Sequence, residues 1–254
     1  MLVCPDRKII FFKPLKCAGS SVEHALLNFC SPGALCTGSK GEYQQQNNLI
    51  PGSNPPAYLF TQHQTPAAFF SKVLHPNFYD DYQKITITRN PWDALVSYYW
   101  WVVRNKGNDF VNPAYRQYIV DNIISRNDSS AAVKNKFERV LTIAQDYSGL
   151  GIARQVGLEG TIASPLILFS LVNSSFLHES IDHYLTYENI ELEYLSFCKN
   201  MSLAHAPLPQ HKTQHRPRIR NNSEYFSEWM KGEIDYYFRD YIAKFEYRFE
   251  CNGA

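Results

Sequence analysis

The chain has 254 residues, 44% hydrophobic and 19% charged, a balance typical of globular proteins that sets aside disordered and fibrous classes. A formal net charge of +1 gives no bulk attraction to nucleic acid or to an anionic membrane, so any anion binding has to be local. No stretch reaches the roughly 20 apolar residues of a membrane helix, and charges break up the apolar N-terminus, so neither a span nor a secretory leader is expected.

Lys8–Phe12 is β-branched and aromatic and reads as a buried strand. It runs into a Pro/Gly/Ser turn carrying Lys13 and Lys16 and then into a helix over Ser20–Phe29, with Ser20 or Ser21 as N-cap. Residues 31–57 are rich in Gly, Ser, Pro, Asn and Gln without periodicity and read as a long loop. Tyr58–Thr61 is expected as a short strand. It is followed by His63 and by a helix that starts at Thr65-Pro66 and reaches about Leu74. Lys84–Thr88 is the next strand, cut off by Arg89-Asn90-Pro91, and Pro91 opens a helix ending near Lys106. Ala114–Arg126 and Ala131–Gln145 have helical spacing, Leu166–Val172 is ambiguous between strand and buried helix, and Ile181–Tyr187 reads as a strand followed by an Asn189–Asn200 helix. Residues 203–222 form a polar, basic, Pro-interrupted loop, Ser223–Lys244 an amphipathic helix, and Glu246–Phe249 a last short strand.

Strands alternating with helices predict an α/β fold: a doubly wound, mostly parallel sheet flanked by helices, in one domain over residues 1–254. Such sheets bind ligands at the carboxyl ends of their strands, where Lys13–Ser21, His63 and Arg89 fall. The six cysteines (Cys4, Cys17, Cys30, Cys36, Cys198, Cys251) show no CxxC pair and read as free thiols of a cytoplasmic protein. The N-x-S sequons at Asn127, Asn173, Asn200 and Asn221 read as chance matches in an Asn- and Ser-rich chain.

The first strand–turn–helix is an anion site in outline. The opening N–H groups of a helix lack internal partners, and the dipole adds about half a positive charge there. It is not a Walker A loop, because Lys16 precedes Gly19 by three residues and nothing basic follows the glycine. No acidic residue ends the Lys84–Thr88 strand, which weighs against a magnesium-assisted kinase. His205, His211 and His215 have poor spacing for a metal, and no metal site is expected.

Two segments together carry a resemblance. Leu15-Lys16-Cys17-Ala18-Gly19-Ser20-Ser21-Val22-Glu23 resembles the 5′-phosphosulfate loop of sulfotransferases, with the usual proline one residue early at Pro14 and with Cys17 and Ser20 at threonine positions. Ile85-Thr86-Ile87-Thr88-Arg89-Asn90-Pro91-Trp92-Asp93-Ala94-Leu95-Val96-Ser97-Tyr98-Tyr99 is similar to the same family's 3′-phosphate segment. Weaker similarity lies at Tyr187-Glu188-Asn189-Ile190, at His63 and at His211–Arg220, the last two resembling the carbohydrate-type and bacterial branch.

The resemblance implies a P-loop NTPase-like sulfotransferase fold and sulfuryl transfer from 3′-phosphoadenosine 5′-phosphosulfate (PAPS), leaving adenosine 3′,5′-bisphosphate (PAP). The acceptor would be a hydroxyl or amine of a small molecule or saccharide. The implied catalytic residues are Lys16, at the leaving oxygen, and His63, as base. Implied nucleotide contacts are Lys13, Cys17, Ala18, Gly19, Ser20, Ser21 and Val22 at the 5′-phosphate, Arg89 and Ser97 at the 3′-phosphate, and Lys212, Arg216 and Arg218 in a covering lid. Neither a metal nor a nucleic-acid or membrane partner is implied. A P-loop-like small-molecule kinase and a non-catalytic PAP-binding protein remain as alternatives.

Overall fold

The computed structural model describes residues 1–31, 33–37, 60–104, 113–147, 151–204, 207–209 and 221–249. Its Cα positions group into two compact units, one of Met1–Arg89, Leu150–Gly157 and Ser175–His211, the other of Asn90–Gly149, Leu158–Ser174 and Lys212–Ala254.

The first unit is built on a five-stranded sheet. Its strands are β1 (Leu2–Cys4), β2 (Ile9–Phe11), β3 (Leu35–Cys36), β4 (Gln83–Thr88) and β7 (His183–Thr186), in the order β3-β1-β2-β4-β7. β2–β4 and β4–β7 pair in parallel, whereas β1 is antiparallel to both β2 and β3. The sheet is therefore mixed, which corrects the mostly parallel, doubly wound arrangement expected from the sequence. A strand at β1 was not expected either. Three residues joined to β2 by the tight turn Pro5–Lys8, where Lys8 takes a left-handed φ of 52°, leave little periodicity to read.

The pleat sends alternate side chains to opposite faces. Leu2, Cys4, Ile9, Phe11, Ile85, Ile87 and Leu185 share a core with Val22 and Leu26 of α1 (Gly19–Leu27) and Tyr194, Phe197 and Cys198 of α8 (Ile190–Asn200). Phe12 packs against Phe69 of α2 (Pro66–Phe70), with ring centroids 5.6 Å apart, and Phe69 meets Tyr79 at 5.3 Å. The strand expected at Tyr58–Thr61 is not found where it can be checked: Phe60 and Thr61 are non-strand, and the remainder lies outside the described residues. Cys4 and Cys30 form a disulfide with Cα atoms 5.5 Å apart, an ordinary separation, and this corrects the reading of six free thiols. Cys17, Cys36 and Cys198 are buried and form no disulfide.

The second unit is helical, with α3 (Pro91–Arg104), α4 (Pro113–Asp121), α5 (Ser130–Thr142), α7 (Pro165–Ser174), α9 (Glu228–Tyr237) and α10 (Arg239–Phe245). The two-stranded ribbon of β5 (Gln145–Asp146) and β6 (Ile162–Ala163) also belongs to it. The ambiguous Leu166–Val172 run is helix α7, the expected single C-terminal helix is split at Phe238, and Glu246–Phe249 forms no strand. Many of the aromatics pack its core: Phe137 meets Tyr99 at 5.4 Å, Tyr225 at 5.4 Å and Phe226 at 5.0 Å. Among the described residues no helix is long and apolar enough to cross a membrane.

Candidate active site

β2 ends at Phe11, and the chain turns through Phe12–Ala18 into α1. Two non-glycine residues of this turn are left-handed, Lys16 with φ 61° and Ala18 with φ 55°. Ala18 is the N-cap, in place of the serine expected there, and it supplies no side-chain cap. The N–H groups of Ser21 and Val22 reach back to the Ala18 carbonyl at 2.9 and 3.5 Å. The donors left at the open end of the helix are therefore those of Ala18, Gly19 and Ser20, while the Ser21 and Val22 N–H groups, also expected at the 5′-phosphate, are engaged within the helix. A turn of this kind, with alternating backbone hands, a bare helix N-terminus and a lysine, is a cradle for an anion. Cys17 does not face it freely: its Sγ is buried and donates to the Leu15 carbonyl at 3.2 Å. Ser20 and Lys16 are half-buried.

Lys13 departs from its expected role. It is 2% exposed, and its Nζ lies 2.7 Å from Oε2 of Glu23, which is 0% exposed. Oε1 of Glu23 accepts from the Met1 amine at 2.6 Å. Burial works against the Glu23 carboxylate, but the Met1 amine and Lys13 outweigh it and hold Glu23 below the usual carboxylate range, so it is ionised. The Lys13 ammonium is thus committed to an internal ion pair and not to a ligand.

The Lys13 backbone has a second partner. Nδ1 of His63 lies 2.9 Å from the Lys13 carbonyl oxygen. A carbonyl only accepts, so Nδ1 carries the hydrogen and Nε2 carries the lone pair. Burial pushes the His63 pKa down to about 3, which keeps the ring neutral at working pH. The His63 turn is braced from α6 (Gly151–Gln155), where Gln155 Oε1 accepts from the Thr65 N–H at 2.9 Å and its Nε2 donates to Thr61 Oγ1 at 2.7 Å.

Arg89 leaves the end of β4, the strand parallel to β2, and is 6% exposed. Its guanidinium donates to the Lys16 carbonyl and lies over the ring of Tyr187, 3.8 Å from the centroid. Tyr187 follows β7, the next parallel strand, so three consecutive strand ends meet at this turn. The two segments singled out in the sequence, 73 residues apart at Lys16 and Arg89, are in direct contact.

The profile of the sulfotransferase family matches residues 1–247. The chain belongs to the sulfotransferase family. No curated protein and no solved structure matches it significantly. In this sulfotransferase Lys16, Arg89, Gly19 and His63 lie in the first unit, connected through Lys13 and the Lys16 carbonyl. Ser97 lies in the second unit, two turns into α3 and half-buried. Lys212, Arg216, Arg218 and the histidines at 205, 211 and 215 fall outside the described residues. The sequence reading gave Glu23, Gln155 and Tyr187 no role at the candidate site, although Glu23 and Tyr187 stand within segments that carry the resemblance. Tyr187 was within reach of the rule that ligands gather at strand carboxyl ends. Gln155, in a Gly-rich connector, carried no signal.

Proposed function

We propose that the chain transfers a sulfuryl group from PAPS to a hydroxyl or amine of a small-molecule or saccharide acceptor. The observation that carries this reading is the contact of Arg89 with the Lys16 carbonyl, which joins the two candidate phosphate segments at the ends of parallel strands. The residues fit an anionic nucleotide. The N–H groups of Ala18, Gly19 and Ser20 take the 5′-phosphate, and Arg89, propped by Tyr187, offers a forked donor set to the 3′-phosphate, with Ser97 a further candidate.

PAPS supplies an electrophilic sulfur on a good leaving group. An acceptor oxygen or nitrogen bonds to that sulfur as the bridging S–O bond breaks, and the electron pair goes to the departing phosphate oxygen. Lys16 meets the charge that grows there. His63 Nε2, neutral and unprotonated, takes the acceptor's proton.

Binding is tested by calorimetry with PAP, ATP and ATP plus magnesium, and transfer by an acceptor screen with labelled PAPS. PAP is expected to bind without magnesium. Stabilisation by ATP–magnesium but not by PAP overturns the reading in favour of a kinase. Binding of PAP without transfer to any acceptor points to a non-catalytic nucleotide-binding protein.

A further inference from the structure

We propose that Glu23 is a positioning residue: it anchors Lys13 so that one side chain clamps the first turn of α1 and one backbone carbonyl aims His63. Three observations converge on Lys13. Its ammonium is fixed 2.7 Å from Glu23, one helical turn beyond Gly19. Its methylene stem crosses Gly19 so closely that a Cβ there would come within 2.5 Å of Lys13 Cγ. Its carbonyl holds the Nδ1–H of His63 at 2.9 Å. The stem therefore presses the helix opening, with its free donors, against the end of β2, while the same residue's backbone leaves His63 Nε2 as the open lone pair.

The charged and titratable groups around the clamp are the Met1 amine, Lys13, Glu23, His63 and the Cys36 thiol. A carboxylate is suited to the task, since Glu23 takes one cation on each oxygen. A glutamine would turn an N–H toward one of those cations. An aspartate, one methylene shorter, would not reach both. Glycine at position 19 has its reason here as well: it is the space through which the Lys13 stem passes.

The inference rests on the PAPS reading for its kinetic consequences and not for its geometry, and the experiment separates the two. Three proteins are compared: the wild type, Glu23→Asp, and the double variant Lys13→Met/Glu23→Leu, which removes both partners of the ion pair at once and leaves the buried Met1 amine to the Thr37 hydroxyl and the Gln62 carbonyl. PAP affinity is read by calorimetry, kcat and KM with labelled PAPS, and the His63 tautomer by 15N long-range correlation spectra. The variants are expected to fold, to bind PAP at least tenfold more weakly and to lose at least tenfold in kcat. Their His63 signals should shift from the Nδ1–H form toward a mixture. A double variant that melts cooperatively and matches the wild type in PAP affinity, kcat and tautomer overturns the proposal, because the ion pair then only stabilises the fold. Should the double variant not fold, Glu23→Asp decides alone on the same readouts. If the wild type binds no PAP, the proposed function fails, yet the tautomer comparison still tests the clamp, and an unchanged His63 spectrum in Glu23→Asp sinks it.

Discussion

Lys16 holds a left-handed backbone, φ 61°, without being glycine, which stores on the order of 1 kcal/mol of strain at the residue expected to meet the leaving oxygen. Two variants separate the strain from the charge. Lys16→Ala and Lys16→Gly both remove the ammonium, and each is expected to lower kcat about 10²–10³-fold while PAP still binds. The glycine variant relaxes the backbone and should melt above the alanine variant by roughly 1 kcal/mol of stability. Equal melting of the two removes the strain argument, and normal turnover in either removes Lys16 as catalyst. His63 makes a pH prediction. Its folded pKa, about 3, lies below the unfolded value near ~6.5, so the unfolded chain binds more protons in that window. This contribution to stability is complete above the unfolded pKa and is lost as pH falls toward the folded one, roughly 2 kcal/mol between pH 6.5 and 5. His63→Gln, which can still donate to the Lys13 carbonyl, should flatten the dependence of Tm on pH there. An unaltered slope rules out a buried neutral His63. The meeting of Lys16 and Arg89 was legible because each stands in a turn that follows an expected strand and opens a helix, at Gly19 and at Pro91. Lys13 was not, because a lysine in a polar turn reads the same whether its head meets solvent or a buried Glu23 ten residues on.

β4 and α3 show why some elements are plain in a sequence and others are not. KITIT is β-branched, is cut off by Arg89-Asn90-Pro91 and lies between two parallel neighbours, and it folds within one residue of its expected bounds. Leu2–Cys4 and Leu35–Cys36 are too short to show a period, and they are strands only because β1 is held between partners. The two antiparallel pairings of β1 are what turned an expected parallel sheet into a mixed one. At the start of α3, Asn90 Oδ1 accepts from the N–H groups of Trp92 and Asp93 at 3.1 and 3.4 Å, and its Nδ2 donates to the Arg248 carbonyl at 2.9 Å. Pro91 announced the helix, but the asparagine caps it. Asn90→Ala is expected to cost about 1–2 kcal/mol, read as a lower denaturant midpoint at constant m. Asn90→Asp keeps the cap oxygen, loses the donor to Arg248 and should cost less. An alanine variant as stable as the wild type would mean that the cap contributes nothing.

At the scale of the molecule, the sequence shows no linker that marks a boundary, and the Cα positions group into two units whose segments interleave along the chain. Interleaving hides such a division, since no linker of distinct composition separates the units; one border falls between Arg89 and Asn90, inside a motif. Cysteine spacing was equally uninformative. Cys4 and Cys30 are 26 residues apart with no pattern between them, and only the fold of β1 against the end of α1 brings them together. Their disulfide removes the premise on which a reducing compartment was inferred, because such bonds persist where the surroundings oxidise. Closing a loop of this length stabilises the fold by about 3 kcal/mol in the chain-entropy account. Alkylation of the native, unreduced protein followed by mass spectrometry should leave Cys4 and Cys30 unmodified and linked in one peptide pair. Dithiothreitol, or Cys30→Ser, should then lower Tm by several degrees. A Tm unmoved by reductant, with both thiols alkylated beforehand, would show that the pair is reduced in solution and would restore the cytoplasmic reading drawn from the sequence.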